Sequence, residues 1–134
     1  MHKETLEKIC DAIKKRVPNI LAIYAFGSQI TGFANAKSDL DLAVLVGGYA
    51  DTILLWDLAN GELADIANMS VDLLDMRASS TVMQHQVLAT GVRLYAKDLN
   101  VGSFESFVFG EKFSLDEKRT RLFNDIKKRG FIYG

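Results

Sequence analysis

The sequence predicts an α+β domain built on a short mixed β-sheet, with helices packed mainly on one face. Three observations point there. Four short apolar runs, at 20–26, 40–46, 71–74 and 92–95, have the length of buried strands. Segments of helical spacing stand before, between and after them. Within the second run, Leu40, Leu42, Val44 and Val46 alternate with Asp41, Ala43 and Leu45, Asp39 preceding on the latter face. The wholly aliphatic face has to be covered by helices, and the acid-bearing face can stay open at that end.

The elements follow in order. Leu6, Ile9, Cys10, Ile13 and Val17 recur at helical spacing, so 3–16 is an amphipathic helix, ended by Pro18 and Asn19. Cys10 lies on the apolar stripe as a small core residue. The run 20–26 is a strand closed by Gly27-Ser28, with a short helical turn to about residue 32. The run 40–46 ends at Gly47-Gly48. A helix over 51–68, capped by Asp51-Thr52, carries Leu55, Leu58, Ala59, Glu62, Leu63 and Ile66 in an imperfect period. After the third strand, 79–90 is a helix ended by Gly91, and the fourth strand follows. The rest, 103–129, is mostly helical with an interruption at Gly110.

With 134 residues and 25% charged side chains, one domain spanning 1–134 is expected, its helical tail at 103–134 rich in phenylalanine. Phe104, Phe107, Phe109, Phe113, Phe123 and Phe131 all fall there. A small domain has difficulty burying so many, which points to partner contact, although a helix wrapping its own sheet absorbs some of them. The net charge of −1 excludes nucleic-acid binding by bulk charge, so direct nucleic-acid binding is not expected. A single cysteine excludes an internal disulfide and a cysteine zinc cage. No membrane-length apolar run and no signal-peptide core is present, so a cytoplasmic protein is expected. Charge is uneven: 17–110 carries four bases and ten acids. Clustered carboxylates suit either a solvated surface or a bound cation.

Three features converge on chemistry. Gly27-Ser28 follows a strand and opens a short helix, where backbone N–H groups and the serine hydroxyl attract phosphate oxygens. Asp39 and Asp41 share one strand face about 6.5–7 Å apart, within reach of one or two hard divalent cations. Asp72, flanked by Val71 and Leu73, alternates onto the same open face. Asp75, at the strand's end, is the competing third carboxylate. Each feature alone is ordinary: a turn, a solvated strand end, an edge acid. Together they suit two-metal phosphoryl or nucleotidyl transfer, which needs positioning and charge neutralisation and no protein nucleophile.

Gly27-Ser28, ten residues, then Asp39-Leu40-Asp41 resembles the signature of the DNA polymerase beta-like nucleotidyltransferase superfamily, with Asp72 in the place of its third carboxylate. The forms Gly27-Ser28-Gln29-Ile30-Thr31-Gly32 and Ser38-Asp39-Leu40-Asp41-Leu42 are similar to the minimal nucleotidyltransferase (MNT) branch. Roughly residues 20–96 carry the likeness. It implies the nucleotidyltransferase fold, with Asp39, Asp41 and Asp72 as catalytic and Mg²⁺-binding residues and Gly27 and Ser28 as nucleotide-binding ones. The small size points to MNT antitoxins, which pair with a HEPN-domain ribonuclease toxin in a hetero-oligomer. The implied activity is transfer of AMP from ATP to a hydroxyl of that toxin, a tyrosine by expectation. The alternatives are an antitoxin that acts by binding alone and a small-molecule, aminoglycoside-type nucleotidyltransferase. The intact motifs argue against the first and the chain length against the second.

The remaining polar and aromatic candidates read as structural. His85 is expected on a helix surface or in helix packing and Trp56 packed on a helix face, although Trp56 and Tyr49 are able to stack on a base. Arg77 and Arg93 are candidate phosphate ligands by chemistry alone, with no motif behind either, and Lys37 is a candidate beside the Asp pair that as a loop lysine usually meets only water.

Overall fold

The structure is a computed structural model, and it describes residues 2–27, 39–98 and 100–110. Helix α1 (Lys3–Arg16) buries Ile9, Cys10, Ala12 and Ile13, and places Glu4 in its first turn and Lys14, Lys15 and Arg16 in its last, as the helix dipole favours. Asn19 takes a left-handed conformation (φ 58°) and turns the chain into strand β1 (Ile20–Phe26). Its carbonyl accepts from the Gly47 N–H at 3.0 Å, which ties this turn to the end of strand β2 (Leu40–Val46).

Asp51 caps the next helix, α2, its carboxylate accepting from the N–H groups of Ile53 and Leu54 at 2.9 and 3.3 Å. Helix α2 runs as an α-helix over Thr52–Leu58, widens to a π-turn over Ala59–Leu63, and returns to α over Ala64–Ala67. The imperfect apolar period has this physical cause. The extra residue of the π-turn lets Leu55, Leu58, Ala59, Leu63 and Ala67 all reach the core, which a straight helix does less well. Asn68, left-handed at φ 54°, ends it. Strand β3 (Val71–Asp75), helix α3 (Thr81–Thr90, capped by Ser80) and strand β4 (Val92–Ala96) follow. Helix α4 occupies 100–110, three residues ahead of the expected start, because the Asp98 carboxylate accepts from the Asn100 N–H at 2.8 Å. The tail from 111 to 134, with Phe113, Phe123 and Phe131, lies outside the described residues.

The sheet is mixed, in the order β3-β2-β1-β4. Strand β1 pairs antiparallel with β2 and with β4, whereas β2 and β3 are parallel. Helices α1 and α2 cover one face over the larger core cluster, which holds Ile23, Ala25, Leu40, Leu42, Val44, Val71 and Leu73. The smaller cluster on the opposite face gathers Tyr24, Phe26, Ala43, Leu45, Met76, Val87 and Val101 under α3 and α4. Gly91 lets α3 turn tightly onto β1, since a Cβ there would sit 2.6 Å from the Ala25 carbonyl oxygen. Helix α4 is latched through Glu105, whose Oε1 accepts from the Tyr24 hydroxyl at 2.8 Å and pairs with Arg93 at 3.0 Å. Phe104 packs on the smaller cluster beneath the Arg77 guanidinium, while Phe107 stays 63% exposed.

Candidate active site

The site follows from strand register. Phe26 on β1 stands opposite Asp41 on β2, and Asp41 stands opposite Asp72 on β3. The end of β1 and two carboxylates therefore lie side by side across three strands spaced about 4.8 Å apart. Asp39 precedes β2 and is exposed, Asp72 is exposed, and Asp41 between them is partly buried. Leu40, Leu42, Leu73 and Val71 turn into the larger cluster, so the pleat sends Asp41 and Asp72 to the opposite face.

Burial raises the Asp41 carboxyl above its ordinary value of 3.8, and the charges of Asp72 and Asp39 push it further in the same direction. The three acids are thus close enough to feel one another. Among the described residues, no three His, Cys, Asp or Glu side chains are already drawn together at metal-binding geometry. The donor set nevertheless fits a hard divalent cation: three carboxylates, one of them costly to ionise without a counter-charge, and no competing soft ligand. Asp39, Asp41 and Asp72 are the residues that would hold it.

Gly27 closes β1 at φ 80°, in the left-handed region. A Cβ there would collide with the Asp41 carboxylate and lie 3.1 Å from its Cγ. The absence of a side chain at Gly27 makes room for Asp41. Ser28 lies outside the described residues.

Asp75 takes a different role from Asp72. It is buried on the α2 side of the sheet, where Oδ2 accepts from the Ala50 N–H at 2.9 Å and Oδ1 from the Arg77 N–H at 3.0 Å. It fastens the loop before α2 to the turn after β3. Asp75→Ala leaves two N–H groups without their acceptor, and a loss of about 2–3 kcal/mol in unfolding free energy is expected by denaturant titration. The folded fraction should keep its nucleotide affinity, because no oxygen of Asp75 reaches the Asp41 face.

A profile described as polymerase beta nucleotidyltransferase matches residues 7–100, a stretch that contains the whole sheet and all of these carboxylates. The chain belongs to that nucleotidyltransferase family. This nucleotidyltransferase is 32% identical over 119 residues, 89% of its length and 85% of the relative's, to the protein adenylyltransferase MntA of Shewanella oneidensis. Its fold matches a crystal structure of a toxin–antitoxin with AMP-PNP at a TM-score of 0.78 and 31% identity, over 91% of this chain and 98% of that one. It also matches a chain from a complex of tri-AMPylated Shewanella oneidensis HEPN toxin with MNT antitoxin, at a TM-score of 0.74 and 29% identity over 95% and 99% of the two chains. No described helix of the nucleotidyltransferase is long and apolar enough to cross a membrane.

Some side chains differ from their sequence reading, Trp56 above all, while Cys10 and His85 keep theirs. Trp56 is 66% exposed on α2, not packed into a helix face, and borders a groove along β3. Arg93 is engaged by Glu105, and the Arg77 Nε–H donates to the Val46 carbonyl at 2.9 Å. His85 meets the edge of Phe109, ring centroids 5.2 Å apart. Cys10 is buried, and burial raises its thiol pKa, which disfavours a thiolate. Tyr49, Ile53 and Trp56 form an exposed apolar run at the start of α2 that the sequence reading did not single out as one.

Proposed function

We propose that this chain is a protein adenylyltransferase that transfers AMP from ATP to a hydroxyl of a HEPN-type ribonuclease toxin, a tyrosine by expectation, and so neutralises it as a cytoplasmic antitoxin. The observation that carries the reading is the register Phe26–Asp41–Asp72, which aligns the Gly27 turn with two carboxylates on one sheet face. The likeness to MntA supports the protein acceptor.

Gly27 and Ser28 would receive the nucleotide's phosphates, and Asp39, Asp41 and Asp72 would hold Mg²⁺. When bound there, Mg²⁺ would neutralise phosphate charge and lower the pKa of the acceptor hydroxyl. The acceptor oxygen forms a bond to the α-phosphorus, the bond from that phosphorus to the β-phosphate bridge breaks, and pyrophosphate leaves with the electron pair. The hydroxyl proton passes to water. The residues' part is to hold these groups in line, which is where most of the rate enhancement of phosphoryl-type transfer arises. The single domain spans 1–134, and its tail at 103–134 serves partner contact in a hetero-oligomer.

Incubating the protein with ATP labelled on the α-phosphate, Mg²⁺ and a HEPN-domain protein encoded by the same genome should label that protein and abolish its ribonuclease activity. Neutralisation without label would support an antitoxin that acts by binding alone. Label on free aminoglycosides, with none on the HEPN protein, would overturn the protein acceptor.

A further inference from the structure

A groove of about 580 Å³ runs along the outer edge of the sheet beside Asp39 and Asp72. One wall is β3 and the other is α2, through Thr52, Trp56 and Asn60. Strand β3 ends the sheet order, with β2 as its one neighbour among the described strands. Its even-numbered residues face β2: the Ser70 carbonyl accepts from the Leu40 N–H and the Met76 N–H donates to the Val44 carbonyl, both at 2.9 Å. Main-chain groups of alternate strand residues point opposite ways, so those of Val71 and Leu73 point away from β2. Among the described residues they meet no hydrogen-bond partner on that side. The pattern stops at Asp75, whose carbonyl is occupied by the Ser79 hydroxyl at 2.9 Å. An exposed strand edge of this kind is a template for another strand.

Charge selects what fits. Among the described residues the groove is lined by Asp39, Asp72 and Asp75 and by no Lys, Arg or His. Residues 39–76, which build both walls among the described residues, contain eight acids and no base. Outside the Asp39 and Asp72 end, where Mg²⁺ would offset the charge, the acidic surroundings attract a peptide with basic side chains. Trp56 adds an exposed indole over which a cation can sit. Backbone donors and acceptors in strand register, an aromatic face and an acidic lining together describe a seat for a polypeptide segment.

We propose that this groove seats an extended, basic segment of the protein substrate, which adds as a strand along β3 and brings the acceptor hydroxyl to Asp39 and Asp72. The proposal rests on the protein-acceptor reading above and gives that acceptor a docking mode.

Amide hydrogen exchange, followed by NMR on the full chain alone and in complex with the HEPN-domain protein, tests it directly. The Val71 and Leu73 amides should be protected at least tenfold on complex formation, and those of Asp72 and Leu74, which face β2, should change far less. In steady-state labelling, Trp56→Ala and Asn60→Lys should each raise KM for the protein substrate at least fivefold, with ATP affinity and kcat unchanged, and Trp56→Phe should restore most of the loss. A complex that forms without protecting Val71 and Leu73 overturns the docking mode, whatever the variants do. So does a Trp56→Ala variant that weakens ATP binding and not the protein KM, since the groove then serves the nucleotide. Failure of the wild type to label the HEPN protein, with these amides protected, would overturn adenylyl transfer and leave the docking mode standing.

Discussion

The Asp41→Asn variant should lose AMP transfer by about 10³-fold or more and yet unfold at a higher temperature than the wild type when divalent cations are withheld. The first effect follows from removing the proposed central cation ligand: about 4 kcal/mol of lost transition-state stabilisation is roughly a 10³-fold loss of rate. The second follows from what surrounds the carboxylate. Asp41 is partly buried, stands in register with Asp72, and has its pKa raised first by desolvation, then by Asp72 and Asp39. An acid whose pKa is higher folded than unfolded binds more protons in the native state. Its contribution to stability therefore falls as pH rises from the ordinary value of 3.8 through the raised one, and stays lost at neutral pH. Asparagine carries no such charge, so the cation-free variant escapes the loss. Thermal unfolding from pH 4 to pH 8 should show the gap between variant and wild type widening upward. Mg²⁺ should narrow it, because a cation that binds only the native wild type stabilises it by mass action. A variant that keeps wild-type transfer, or a gap that closes as pH rises, would remove Asp41 from the cation site.

How much of this was legible in the sequence depends on which interaction decides each feature. The alternation Leu40, Asp41, Leu42 decides the face of each β2 side chain, and it depends only on the strand's two-residue repeat, so the open acidic face was readable. The same repeat distinguishes Asp72 from Asp75, an odd number of positions apart, and the buried hydrogen bonds of Asp75 agree with that parity. The relative alignment of Asp41 with Asp72 was not readable, because register between non-adjacent segments is set by how far α2 carries the chain. Helix α2 itself shows the limit. Its π-turn over Ala59–Leu63 shifts the buried stripe to Leu63 and Ala67, whereas Trp56, in the regular segment before it, lies off the face that Leu55 and Leu58 bury. The tail divides similarly. Phe104 packs and Phe107 does not, since the Glu105 latch to Tyr24 and Arg93 fixes the rotation of α4 and no apolar count encodes it.

Gly27→Ala should cost both stability and activity, and the two losses should separate on removing the Asp41 side chain. Two independent causes act at this position. The backbone sits at φ 80°, where a non-glycine residue costs about 1–3 kcal/mol. The new methyl also falls on the Asp41 carboxylate, which has to turn away from Asp72 to admit it. Displacing a reacting-site ligand by about 1 Å is enough for a roughly 10²-fold loss of rate. A double-mutant cycle resolves the causes. In the Asp41→Ala background the Oδ2 and Cγ atoms that obstruct the methyl are gone, so Gly27→Ala there should carry only the backbone cost. The expected coupling is about 1 kcal/mol or more in urea unfolding, within the range for residues in contact. Gly27→Val should be worse in the wild-type background, its branched side chain meeting the same carboxylate at the same backbone angle. Additive losses across the cycle would mean that Gly27 serves only its own backbone and the approaching phosphate. Strong coupling would mean that this glycine is conformationally part of the carboxylate cluster, holding Asp41 in the register that aligns it with Asp72.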